Sequence, residues 1–150
     1  MYKRISNLFI ICLFFTICFN VPSSDALEDK YKVVIEDSFY VVKEENKELF
    51  LKTYKEKLFP FWQEMKNRGI IVDDYRMYSQ RIHTVYPLWS YKTTVKFKNY
   101  AAIDKWLEIR DEVYQQLFPG EKGYKEPRKI IDSITEKHWD EFMREIPLDK

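Results

Sequence analysis

The sequence predicts an α+β domain: a four-stranded antiparallel sheet with helices on one face, its elements running β-α-β-β-α-β. Three observations predict it. Residues 89–97 alternate apolar and polar side chains with the period of two that a half-buried strand requires. Two stretches, 46–69 and 99–118, repeat apolar residues at helical spacing between capping residues and Gly or Pro stops. Finally, 150 residues with only 3 Gly and 6 Pro, 45% hydrophobic and 33% charged, suit one compact domain and exclude collagen-like, low-complexity and disordered chains.

The chain opens on a segment that reads as an address rather than as structure. Lys3 and Arg4 precede an apolar run from Ile5 to Phe19, interrupted by Ser6, Asn7 and Thr16, and polar residues follow at 20–25. Ser24 and Ala26 place small side chains three and one residues before a cut ahead of Leu27, the layout of a signal peptide. The apolar run is shorter than the ~20 residues of a membrane span. We therefore expect residues 1–26 to be removed, the protein to be exported to the periplasm or beyond, and residues 27–150 to form the single domain. Both cysteines, Cys12 and Cys18, leave with the leader. The mature domain then holds no disulfide, thiolate nucleophile or Cys-based metal site. Losing Lys3, Arg4 and Asp25 brings the 25 basic and 24 acidic residues into balance. A neutral domain lacks the basic surface that nucleic-acid binding needs, and has no general attraction to anionic membranes.

The mature chain resolves into elements in order. Residues 31–43 are rich in β-branched and aromatic side chains, with Glu36-Asp37-Ser38 as the polar interruption; a bulge or a late start is expected there, with 38–43 the most regular part. Asn46 can cap a helix carrying Leu49, Phe50, Tyr54, Leu58, Phe61, Trp62 and Met65, which Gly69 ends by adopting left-handed backbone. Pro60 lies inside that pattern, so a kink is expected near 57–59. Residues 70–81, with Tyr75, Met77 and Tyr78, form a second strand. After a loop at 83–87, Trp89, Tyr91, Thr93, Val95 and Phe97 share one face of a third strand, opposite Leu88, Ser90, Lys92, Thr94 and Lys96. Asn99 can cap a second helix with Ile103, Trp106, Leu107, Val113, Tyr114 and Leu117 as its stripe, interrupted at Arg110 and stopped by Pro119-Gly120. The tail reads either as one helix or as a helix at about 127–135 and a strand at about 138–146; the second option completes a four-stranded sheet.

This element order suggests a ferredoxin-like fold. A strand ending Tyr40-Val41-Val42-Lys43, a helix from Asn46 with Phe50 and Tyr54, a hairpin, and then Val95-Lys96-Phe97-Lys98-Asn99-Tyr100-Ala101-Ala102 narrow it. The chain resembles the dimeric α/β-barrel superfamily, which includes antibiotic-biosynthesis-monooxygenase-like domains, over about residues 38–146. The resemblance implies a homodimer that pairs the open sheet faces, each subunit keeping a pocket between sheet and helices. Tyr75, Tyr78, Trp89, Tyr91 and Phe97 offer aromatic surface for both faces, and such an apolar face left bare is a liability for a monomer. Haem-degrading relatives use a helix-borne His as iron ligand; the helix at 99–118 contains none, so that role does not transfer.

Candidate site residues are few. His83, beside Tyr86 and Trp89, can exchange protons near neutral pH and is the candidate catalytic base; the plainer reading is a loop histidine bonded to solvent or backbone. His138, near Asp140 and Glu141, reads as a carboxylate-supported imidazole, but the two histidines lack metal-ligand spacing and no metal is expected. Tyr75, Trp89 and Tyr91 join both histidines as candidate pocket residues, whereas Trp62 and Trp106 sit on helical stripes where core packing is the default. With glycines only at 69, 120 and 123, there is no phosphate-cradling loop, and no Ser-His-Asp signature appears. The expectation is an exported homodimer that holds a small apolar or aromatic ligand and needs no cofactor, with no nucleic-acid partner and no membrane association once the leader is gone. The alternative is a cofactor-independent monooxygenase-like or isomerase-like enzyme using His83.

Overall fold

The computed structural model describes residues 32–81, 88–146 and 148. The expected leader, both cysteines, His83 and Tyr86 lie outside them. The first strand, β1 (Val34–Val42), runs without interruption through Glu36-Asp37-Ser38, correcting the expected bulge or late start there. A central strand bonds on both sides, and those ladders override the weak strand preference of the three polar residues. A 3₁₀ turn (Glu44–Asn46) leads into α1 (Lys47–Thr53), a π turn (Tyr54–Leu58) and α2 (Phe59–Asn67). Asn46 makes no side-chain cap bond, because helical backbone has already begun at Glu44 and Asn46 is not extended. Pro60 falls at the start of α2 and the widened turn lies just before it; the missing N–H and the ring crowding are absorbed there. Gly69 (φ 69°) ends the helix, with the Ile70 amide donating back to the Met65 carbonyl at 3.0 Å.

β2 (Arg76–Ser79) is shorter than expected, though Ile71 bridges to Phe97 ahead of it. β3 (Tyr91–Phe97) leads to α3 (Tyr100–Leu117), where the Asn99 side chain accepts from the Ala102 amide at 2.9 Å, as a cap should. α4 (Lys125–Ile134) and β4 (Thr135–Met143) follow. The tail is thus a helix and a strand, starting two to three residues earlier than the sequence suggested. The sheet order is β2-β3-β1-β4, every neighbouring pair antiparallel.

Register decides which residues face the helices. Tyr40 pairs with Tyr91 and His138, Ser38 with Thr93 and Asp140, and Glu36 with Val95 and Phe142. These lie on the helix-facing side, where Tyr40, Tyr91, Val95 and Phe97 join Phe50, Phe61, Trp62, Met65, Val113, Tyr114 and Ile131 in one core. Each fully buried apolar side chain there contributes ~1.5–3 kcal/mol. The opposite face carries Ile35, Asp37 and Phe39 with Lys92, Thr94, Tyr78, Trp139 and Met143. Trp89 departs from the expected single face: it precedes β3, and its ring meets Phe39 edge-on at 5.8 Å on this open side. Phe39 also stacks on Trp139 at 5.0 Å. The open face is not uniformly oily. Asp37, only 6% exposed, pairs with Lys92 at 2.9 Å and accepts from Thr94.

Candidate functional site

A cavity of ≈ 200 Å³ lies between the sheet and the helices. Alternation along β1 points Glu36, Ser38 and Tyr40 into it; β3 adds Thr93 and Val95, and β4 adds Asp140. Tyr75, just before β2, forms one side. The helices supply the roof: Tyr54 from the π turn, Trp62 from α2, Trp106 and Arg110 from α3, and Tyr124, Lys125 and Arg128 around the start of α4. Tyr54, at the start of the π turn, is a core residue that also reaches the cavity, and such local irregularities are common at binding sites.

The walls are flat and aromatic. Tyr75 stacks parallel to Trp62 at 5.5 Å, and Trp62 stacks on Trp106 at 5.6 Å. Tyr124 meets Trp106 edge-on at 6.0 Å. Burial raises the pKa of Tyr54, Tyr75 and Tyr124 above the ordinary phenol value, so these hydroxyls stay protonated at neutral pH and act as neutral hydrogen-bonding groups.

Polar groups stand within this apolar setting. Burial pushes the Glu36 carboxyl from 4.5 up to about 7, and the Asp140 charge adds to the rise against the opposing pull of Arg128 and His138. Burial disfavours the Asp140 charge too, but hydrogen bonds from His138 and Ser38 outweigh it and hold that carboxyl below its usual range. The His138–Asp140 contact is 3.0 Å. Arg128 donates to the Tyr40 hydroxyl at 3.1 Å. Arg110 lies over the Trp106 ring, 5.3 Å from its centroid. Two carboxyls of opposite tendency thus share one cavity: Asp140 stays ionised while Glu36 exchanges its proton near neutrality.

The expected pocket residues separate. Tyr75 lines the cavity. Tyr91 is buried beside it, stacked on Phe50 at 4.9 Å. His138 stacks on Tyr40 at 4.6 Å and acts on the site through Asp140. Trp89 does not belong there, since it sits on the open face, and His83 is outside the described residues. Glu141, expected near His138, points to the opposite face, where it accepts from Trp139 Nε1 at 3.2 Å. Sequence reasoning missed Glu36, Arg110 and Arg128 as site residues. Two signals were present: a carboxylate inside an apolar strand, and a cation that breaks the stripe of α3. Among the described residues, no group of three or more His, Cys, Asp or Glu side chains is placed to hold a metal, and no helix is long and apolar enough to cross a membrane.

No family model matches this sequence, and no curated protein does either. Solved structures do match. A NIPSNAP family protein from Agrobacterium tumefaciens is 12% identical, with a TM-score of 0.53, over 79% of this chain and 90% of its own. A dimeric ferredoxin-like protein from an uncultured marine organism is 12% identical, with a TM-score of 0.52, over 79% and 91%. A conserved protein from Methanosarcina mazei is 14% identical, with a TM-score of 0.50, over 80% and 99%. At these identities the likeness is one of fold. The chain has a ferredoxin-like α+β fold.

Proposed function

We propose that this protein is an exported homodimer that holds a small aromatic ligand between its sheet and its helices. The observation that carries the reading is the cavity itself: stacked Tyr75, Trp62 and Trp106 line a space with a few convergent polar groups, the usual composition of a small-molecule site. Dimerisation is supported by the aromatic band of Phe39, Trp89 and Trp139 on the open face and by the marine neighbour's description as dimeric. Pairing of two such faces would cover the band and exclude water from the Asp37–Lys92 pair. Export rests on the leader-like pattern of residues 1–26 alone.

Native mass spectrometry of protein purified from its own cells tests ligand and assembly together. The expected result is twice the mature subunit mass with a small adduct. A bare monomer at micromolar concentration would overturn both parts.

One observation favours a second reading, in which the cavity is catalytic: Glu36 exchanges its proton near pH 7, where a general base or acid works best. It would break a C–H bond of the ligand, keep the proton as a carboxyl O–H and return it to another carbon, an isomerisation that consumes no oxidant. In this reading Glu36 takes the part the sequence suggested for His83. Glu36→Gln retaining full turnover of an identified substrate would rule it out.

A further inference from the structure

We propose that the cavity selects a single-ring aromatic carboxylate and that Arg110 receives the carboxylate group. The inference rests on the cavity being a small-molecule site and adds the chemical class of what enters it. Three observations carry it.

The first is the isolation of Arg110. Arg68, Arg76 and Arg128 each stand against a carboxylate, at 2.8, 3.5 and 3.7 Å respectively. Arg110 forms no ion pair among the described residues, although it is partly buried and lines the cavity. Its Nε is shut off from solvent without a hydrogen-bond partner, as is Trp106 Nε1 one helical turn earlier. Stacking on Trp106 offsets some of the cost of keeping the cation there; the terminal nitrogens, which are not closed off as Nε is and have no acceptor among the described residues, are the part of the guanidinium a carboxylate can reach.

The second is that the protein's own carboxyls do not fill this role. Asp140 already accepts from His138 and Ser38. Burial keeps Glu36 largely uncharged below about 7, so it can donate a hydrogen bond to a second oxygen rather than repel it. Arg128 already stands against Asp132, but Lys125 and Arg110 line the cavity opposite the single ionised carboxylate of Asp140, a charge balance that an anionic ligand suits.

The third is size. A dry cavity of ~150 Å³ accepts benzene. The ≈ 200 Å³ here accommodates one such ring and a substituent of a few atoms. The stacked Tyr75, Trp62 and Trp106 rings favour a flat occupant.

Titration of the mature protein with benzoate and, separately, with benzyl alcohol tests this, read by calorimetry and by tryptophan fluorescence. Benzoate is expected to bind about tenfold or more tighter, the range for a hydrogen bond to a charged group. Arg110→Gln should weaken benzoate far more than benzyl alcohol, whose uncharged hydroxyl forms only an ordinary hydrogen bond there, and so remove most of the preference. Should that variant not fold by circular dichroism, Arg110→Lys, which keeps the charge but loses the fork, should weaken benzoate selectively. Equal affinity of the two probes for the unsubstituted protein overturns the carboxylate proposal while leaving the cavity reading intact. A benzoate preference that survives in the variant overturns the role of Arg110. Failure of both probes to bind overturns the cavity reading as well.

Discussion

Replacing Glu36 by glutamine should change how the stability of this protein depends on pH. In the folded chain the carboxyl titrates at about 7 against 4.5 for the free group, so between those values the folded state binds a proton that the unfolded state has released. Stability therefore falls as pH rises through this window: the contribution of Glu36 is fully present below 4.5 and lost above about 7. Each pH unit is worth roughly 1.4 kcal/mol, which puts the ceiling at about 3 kcal/mol, trimmed because part of the side chain still reaches water. The glutamine amide cannot ionise and keeps the shape of the side chain it replaces. Urea unfolding of both proteins at one fixed concentration, at pH 5, 6, 7 and 8.5, measures the effect. The variant should gain on the wild type by about 2–3 kcal/mol from the acid to the alkaline end. Parallel curves would mean that Glu36 is not held in a desolvated setting, and its suitability for proton transfer near neutrality would fall with it.

Other expectations follow from single contacts. Asn99→Ala removes the acceptor of the Ala102 amide and should cost about 1 kcal/mol in urea unfolding. Gly123→Ala should cost about 1–3 kcal/mol, because Gly123 has φ +140° and an added Cβ would lie 2.8 Å from Asp111 Oδ1, the atom that accepts from the Tyr124 amide. Unchanged thermal stability would show that the loop re-forms freely. Trp139→Glu places a charge beside Phe39 on the open face and, if the proposed dimer pairs these faces, should leave a monomer by light scattering with the helical circular dichroism signal preserved.

The elements were legible because they are written in short-range spacing. Alternation at 91–97, the apolar turns of 47–67, the Asn99 cap and the Gly69 stop each follow from residues within one or two turns of one another. Asn46 did not cap because a 3₁₀ turn had already drawn it into helical backbone, and Trp89 left its expected face because the strand begins two residues later. The site obeys a different logic. Glu36 faces Arg110 and Tyr124 across the cavity, rather than Asp37 doing so, because β1 pairs with β3 and β4 in one particular register. A slip of one residue would exchange the two acids between faces. Sequence by itself determined the alternation, the helices and their stops, since local backbone preferences and apolar periodicity act over a few residues. Only the tertiary structure decided that Glu36, Tyr75, Arg110, Arg128 and Asp140 share one cavity, because strand register and helix docking are settled by the burial of the whole sheet face.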